Sequence, residues 1–168
     1  CHASIYDGIR LSNAKHFKFK HNDINSLNEL IQRHLTNFEN IFIVVESVYS
    51  MDGDAAPSFD CVSLKNKYKN CFLIVDEAHA IGVVGENGKG LCNKLNVENE
   101  CFARIYTFGK ALGLHGAAIV GSNDLRNFLI NFSRSFIYTT ALPPTSINAI
   151  KNAYNLLNHT NQIKKLNE

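Results

Sequence analysis

The sequence predicts an α/β protein, a mostly parallel sheet with helices on both faces. Apolar runs of strand length, rich in β-branched and aromatic residues, alternate with longer stretches whose apolar positions recur every three or four residues. Polar residues capable of chemistry follow each run: Ser47 and Ser50, Asp76 and His79, Thr107 and Lys110. Sheets of this class bind ligands beyond the carboxyl ends of their strands, so these residues define the expected site.

The elements follow in order. Residues 2–11 predict a short helix able to start at Ser4 and ending near Ser12 and Asn13, with Ile5, Ile9 and Leu11 partly on one side. Phe17 and Phe19 alternate with Lys18 and Lys20, the period of a half-buried strand. Asp23 caps a helix whose stripe is Ile24, Leu27, Leu30, Ile31, Leu35 and Phe38, lying on a sheet face. The unbroken run from Ile41 to Glu46 suits a central strand covered on both faces. Residues 51–57 are turn material, and Ser58 or Asp60 can cap a helix carrying Phe59, Val62, Leu64 and Tyr68. Phe72 to Val75 is the next buried strand. Gly82, Gly85, Gly88 and Gly90 predict a loop, and residues 103–107 and 117–121 two further strands. Helical spacing returns at residues 124–135, and Pro143 and Pro144 open a last helix reaching about Leu157, before a polar tail from His159 to Glu168.

Composition narrows the function. The chain has 168 residues, 45% hydrophobic and 19% charged, enough for one core. A net charge of +2 with dispersed lysines predicts no nucleic-acid partner. No apolar run reaches the roughly 18 residues of a membrane span, so no membrane partner is expected. Five cysteines without a C-x-x-C pair argue against a zinc site or a disulfide framework, and predict a reducing, cytoplasmic location. Position 1 is not Met, which leaves room for a longer chain.

Asp76 ends a buried strand and could hold a protonated ring nitrogen, bind a metal or orient a histidine. A helix N-cap is the ordinary alternative. The Asp76, Glu77, His79 spacing lacks the helical histidine pair of common zinc sites, so no metal is expected. Lys110 lies in a glycine-flanked apolar turn, where desolvation can lower an amine's pKa and free it for Schiff-base chemistry; a solvated surface charge is the ordinary alternative. Thr107, Thr139 and Thr140 offer hydroxyls to a phosphate, or serve as plain strand and turn residues. His2 could lie against a flat ligand or cap a helix, and Ser50 could donate a hydrogen bond or merely turn the chain. Residues 86–90 lack the spacing of a nucleoside-triphosphate loop, and no dinucleotide fingerprint follows a strand.

Taken together, His2-Ala3-Ser4, His21-Asn22-Asp23, the stretch from Glu46 to Gly53, Asp76-Glu77-Ala78-His79, the loop from Gly82 to Gly90 and Thr107-Phe108-Gly109-Lys110 resemble, in order, the α-oxoamine synthases. That family comprises pyridoxal-phosphate enzymes of fold type I. The resemblance implies that residues 1–155 form the central part of the cofactor-binding large domain, with 156–168 a polar tail or the lead into a C-terminal domain. It makes Lys110 the cofactor's attachment point and base, Asp76 the partner of the pyridine nitrogen, and His79 and Ser50 contacts of the ring's phenolic oxygen. His2 stacks on the ring face, and Thr107 binds its phosphate. Thr140, and with it Thr139, reaches the phosphate of a partner subunit, which implies a homodimer with shared sites.

Residues 107–119 and 136–144 look most like the family member that condenses L-alanine with a pimeloyl thioester, of coenzyme A or an acyl carrier protein, in biotin biosynthesis. A sister synthase using glycine or serine would share every residue named, and an inactive core that only dimerises is a further alternative. The family's glycine-rich phosphate segment and the arginine for the substrate carboxylate have no counterpart in these 168 residues. The segment alone is therefore expected to be inactive.

Overall fold

The computed structural model describes residues 1–168, residue 167 in its backbone alone. The helices and strands run α1 (Ala3–Leu11), α2 (Ile24–His34), β1 (Ile41–Glu46), α3 (Ser58–Lys65), β2 (Cys71–Asp76), α4 (Leu91–Lys94), β3 (Ala103–Thr107), β4 (Ala117–Gly121), α5 (Asn123–Phe132), α6 (Arg134–Ile137), α7 (Pro144–Leu157) and α8 (Gln162–Asn167). The sheet order is β1-β2-β3-β4. β1, β2 and β3 are mutually parallel, and β4 returns antiparallel to β3. The mostly parallel α/β expectation is borne out.

One register matters for function. Glu46 lies opposite Asp76, and Asp76 opposite Ile105, so the first three strands finish at one edge of the sheet. The Ser47 and Glu77 N–H groups extend the ladder past the strand ends, to Asp76 O and Ile105 O, both at 2.8 Å. The polar residues that follow the strands therefore start from a rigid, hydrogen-bonded base.

The core forms where alternating residues of β1 and β2 meet two helices. Ile43, Val45, Cys71, Leu73 and Val75 pack with Leu27 and Ile31 of α2 and with Cys61, Val62 and Leu64 of α3. Leu73 and Val75 are wholly buried. The Asp23 carboxylate accepts from Ser26 N–H at 2.9 Å, capping α2 as its sequence position requires.

Several expectations are corrected. Residues 14–20 form no strand, although Phe17 still finds a partner by stacking on His34 at 4.0 Å between ring centroids. Among the described residues β1 lies at the end of the sheet, with β2 as its one neighbour, and Phe42 is 49% exposed. Its ring joins Phe72 and Phe102 in a cluster on the sheet face opposite the core, with centroids 5.4–5.5 Å apart. Helix α2 stops at His34, before Leu35 and Phe38. Helix α1 is capped by His2, and α3 is preceded by Pro57 rather than capped by a side chain. Ser133 separates α5 from α6, and α8 forms within the expected polar tail.

Candidate active site

The site is built where β1, β2 and β3 end. Asp76 closes β2 and is 8% exposed, and its Oδ1 accepts from Ala78 N–H at 2.9 Å. Among the described residues no donor reaches Oδ2. The bond to Ala78 turns the chain sharply after the strand and fixes the carboxylate. One oxygen thus caps the local backbone, as the ordinary alternative expects, and the other is unused.

His79 lies one turn further on and is half-buried. Burial, then the nearby Lys110 cation, hold its pKa below the usual imidazole value; Glu46 and Asp76 act the other way, and His2 adds a small lowering. His79 therefore sits within electrostatic reach of Lys110, Glu46, Asp76 and His2. The structure gathers four of the residues singled out from the sequence, together with Glu46, around one strand-end edge.

Lys110 is carried by the turn between β3 and β4. Phe108 is 5% exposed, exchanges backbone bonds with Gly116 O (3.0 Å) and Leu114 N–H (2.8 Å), and meets the ring of Tyr154 on α7 edge-on. The buried ring anchors the turn, and Gly113 N–H closes it on Lys110 O at 2.9 Å. Lys110 itself is exposed, which matches the solvated alternative and not the desolvated one. The turn leaves its side chain outside the packed layer that holds Phe108. Among the described residues it makes no ion pair.

Thr107, at the end of β3, has a hydroxyl that is shielded from solvent and lacks a hydrogen-bond partner. A buried hydroxyl left unpaired costs free energy. Ser50 is exposed in the turn after β1, and Thr139 and Thr140 are exposed between α6 and α7; none is brought into a hydrogen bond among the described residues. The His2 ring accepts from Ser4 N–H at 3.3 Å and lies 2.9 Å from Ser4 Oγ.

Two elements quoted from the sequence had been given no positioning role. Glu77 was weighed only as a metal ligand, yet it is fully buried and accepts from Leu91 N–H at 2.8 Å and Cys92 N–H at 2.7 Å. It ties the start of α4 to the residue after Asp76. Gly90 makes this possible: at φ +102° a Cβ would lie 2.5 Å from Glu77 Oε2. Gly82 similarly lets its loop touch the residue after Lys110, since a Cβ there would lie 2.8 Å from Ala111 Cβ. The second element is the His21-Asn22-Asp23 motif. His21 Nε2 lies 2.8 Å from Asp54 Oδ2, and Asn22 Nδ2 donates to the same oxygen at 2.7 Å and to Ala55 O at 3.1 Å. These bonds pin the turn that carries Ser50. The clustering of Glu77 with four glycines was the available signal for the first; the second was visible as a motif, but its partners Asp54 and Ala55 lie more than thirty residues away.

With the geometry in view, the comparisons decide the family. The model of aminotransferase classes I and II matches residues 1–167. The chain belongs to that family. Among curated relatives, a putative 8-amino-7-oxononanoate synthase of Glaesserella parasuis is 47% identical over 146 residues, covering 87% of this chain and 38% of the relative. The 8-amino-7-oxononanoate synthase of Emericella nidulans is 44% identical over 167 residues, covering 93% and 40%. The chain thus spans about two fifths of the length of these relatives. Among solved structures, the 8-amino-7-oxononanoate synthase of Francisella tularensis superposes with a TM-score of 0.83 at 34% identity, covering 96% of this chain and 45% of that one. A serine palmitoyltransferase structure with its pyridoxal-phosphate internal aldimine gives 0.87 at 30% identity, covering 99% and 42%. The α-oxoamine synthase resemblance, its fold type and its pyridoxal-phosphate cofactor class are borne out.

Proposed function

We propose that this chain is the central part of the large domain of a pyridoxal-phosphate-dependent synthase that condenses L-alanine with a pimeloyl thioester to give 8-amino-7-oxononanoate. The observation that carries the reading is the gathering of Asp76, His79 and Lys110 at one strand-end edge, beside the unpaired Thr107 hydroxyl. That donor set fits the cofactor: an anion for a ring nitrogen, an amine for an aldehyde carbon and a buried hydroxyl for a phosphate oxygen. The curated relatives at 44–47% identity carry the name of this synthase, which supports alanine as the amino acid.

When bound, pyridoxal phosphate supplies an electron sink for charge developing at the amino acid's α-carbon. The chain's own residues do the rest. Asp76 Oδ2 would hold a proton on the ring nitrogen, an arrangement that its fixed Oδ1 makes rigid. Lys110 Nζ would attach the cofactor and, once released, take the α-proton as a base. An exposed amine with no ion pair is free to make both movements. His79, kept neutral by burial and by the Lys110 cation, can share a hydrogen bond with the ring's phenolic oxygen without adding positive charge. Ser50 would contact the same oxygen, His2 would cover the ring face, and Thr107 would hold the phosphate. Thr139 and Thr140 would complete the phosphate site of a second subunit in a homodimer, and the cytoplasm suits this chemistry. Coenzyme A or a carrier protein would deliver the acyl group.

Borohydride reduction of the full-length holoprotein, followed by digestion and mass spectrometry, tests the assignment. The expected result is cofactor fixed to the peptide bearing Lys110, and its loss in Lys110→Ala together with a roughly 10²–10⁴-fold fall in condensation rate. Label on another lysine, or none, would overturn it. Parallel assays with glycine and serine distinguish a sister synthase.

A further inference from the structure

We propose that Cys92 and Cys101 form an oxidisable dithiol, closed by hydroperoxides to a reversible disulfide. Their sulfurs lie 3.9 Å apart in a thiol–thiol hydrogen bond. The backbone holds them face to face: Val97 N–H donates to Cys92 O at 2.9 Å, and the Cys101 thiol reaches back to Val97 O at 3.4 Å. A disulfide needs about 2.05 Å between sulfurs, so an approach of roughly 2 Å is required. Cys101 follows the short 3-10 turn Glu98–Glu100, a connection able to move by that amount more readily than a sheet. The other three cysteines have no such arrangement, Cys61 and Cys71 being sealed in the core and Cys1 lying at the surface.

The two sulfurs are chemically unequal. Cys92 is fully buried in α4, whereas Cys101 is only partly covered. The hydrogen bond with Cys92, aided by the nearby Arg104 cation, holds the Cys101 thiol below the usual range, against burial that pushes it up. The same hydrogen bond, followed by burial and by the Glu77 carboxylate, pushes Cys92 up. Cys101 is therefore the sulfur that meets peroxide. Its thiolate attacks one peroxide oxygen, the O–O bond breaks, and hydroxide leaves a sulfenic acid on Cys101. Cys92 then gives its proton to the departing hydroxyl as its sulfur bonds to that of Cys101. Two thiols and hydrogen peroxide thus yield one disulfide and two waters, and an external thiol reverses the change. Because the Cys92 N–H also holds Glu77, the cross-link forms on the segment that abuts Asp76.

Cleavage after lysine and arginine places Cys92 in the peptide Gly90–Lys94 and Cys101 in Leu95–Arg104, so the bond is visible as two peptides joined. The full-length protein is treated with increasing hydrogen peroxide, alkylated and analysed without reduction. The expected result is joint loss of both free peptides, appearance of the joined pair at their summed mass less two hydrogens, and return of both on addition of dithiothreitol. In Cys92→Ala the expected result is Cys101 accumulating as sulfenic and then sulfinic acid. Cys101→Ser should leave Cys92 reduced at peroxide levels that oxidise Cys1. The proposal is overturned if the wild-type protein gives no joined pair while Cys1 oxidises, or if Cys101 reaches sulfinic acid as fast in wild type as in Cys92→Ala. The wild-type measurement decides even where a variant folds poorly.

Discussion

The two halves of the chain are built differently. The hydrophobic core lies entirely between Leu27 and Val97, wrapped around β1 and β2, whereas no described residue after Phe108 is buried. Beyond that point Phe128, Phe132, Phe136 and Leu156 are 57–67% exposed, although α5 and α7 are amphipathic helices of ordinary length. Asp76 is therefore fixed by a completed core, while Lys110, Thr139 and Thr140 belong to a region whose apolar faces these 168 residues do not themselves cover. Under the proposed function the difference would separate two tasks, a fixed carboxylate at Asp76 and an exposed amine at Lys110.

Stability measurements can break this contrast. Leu73 is wholly buried between β1 and β3, so Leu73→Ala is expected to cost about 2–5 kcal/mol in urea unfolding of this chain. Phe132→Ala, at a 66% exposed position, should stay within about 0.5 kcal/mol of the parent. Equal losses at the two positions would show that the second region is packed as tightly as the first. Gly90→Ala sharpens the comparison by striking the joint between core and site. A methyl there must displace the Glu77 carboxylate or strain a backbone at φ +102°. The expected cost is about 1–3 kcal/mol. Unchanged stability would mean that Glu77 does not hold α4 as described.

This contrast also explains what the sequence could disclose. β1 and β2 were legible because buried parallel strands need unbroken apolar runs, and Asp23 was legible because helix starts have local chemistry. The position of β1 at the end of the sheet was not, since Phe42 reads as buried whether or not anything covers it. Residues 17–20 alternate like a strand but find their packing in an aromatic stack with α2, a long-range contact that periodicity does not encode. Asp76, His79, Thr107 and Lys110 were legible as strand-end residues, whereas the role of Glu77 depends on a hydrogen bond across fourteen residues of sequence. The sequence left Lys110 open between a desolvated and a solvated amine, because glycine neighbours indicate a turn without saying which side faces solvent.

The smallest expected effect tests the arrangement of the site without any cofactor. His79 titrates below the ordinary 6.5, first because it is partly desolvated and next because Lys110 stands beside it. Folding thus favours the neutral ring. Its contribution to stability is full above about pH 6.5 and is lost as the pH falls through the lower folded midpoint. Lys110→Ala removes the cation but leaves burial, and leaves Glu46 and Asp76 pulling the other way. The His79 midpoint, followed by NMR in the cofactor-free protein, should therefore rise toward the ordinary value, and the acid-side loss of stability should shrink with it. A midpoint that stays in place or falls would mean that Lys110 does not face His79. The amine of the site would then have to be placed by something other than the turn between β3 and β4.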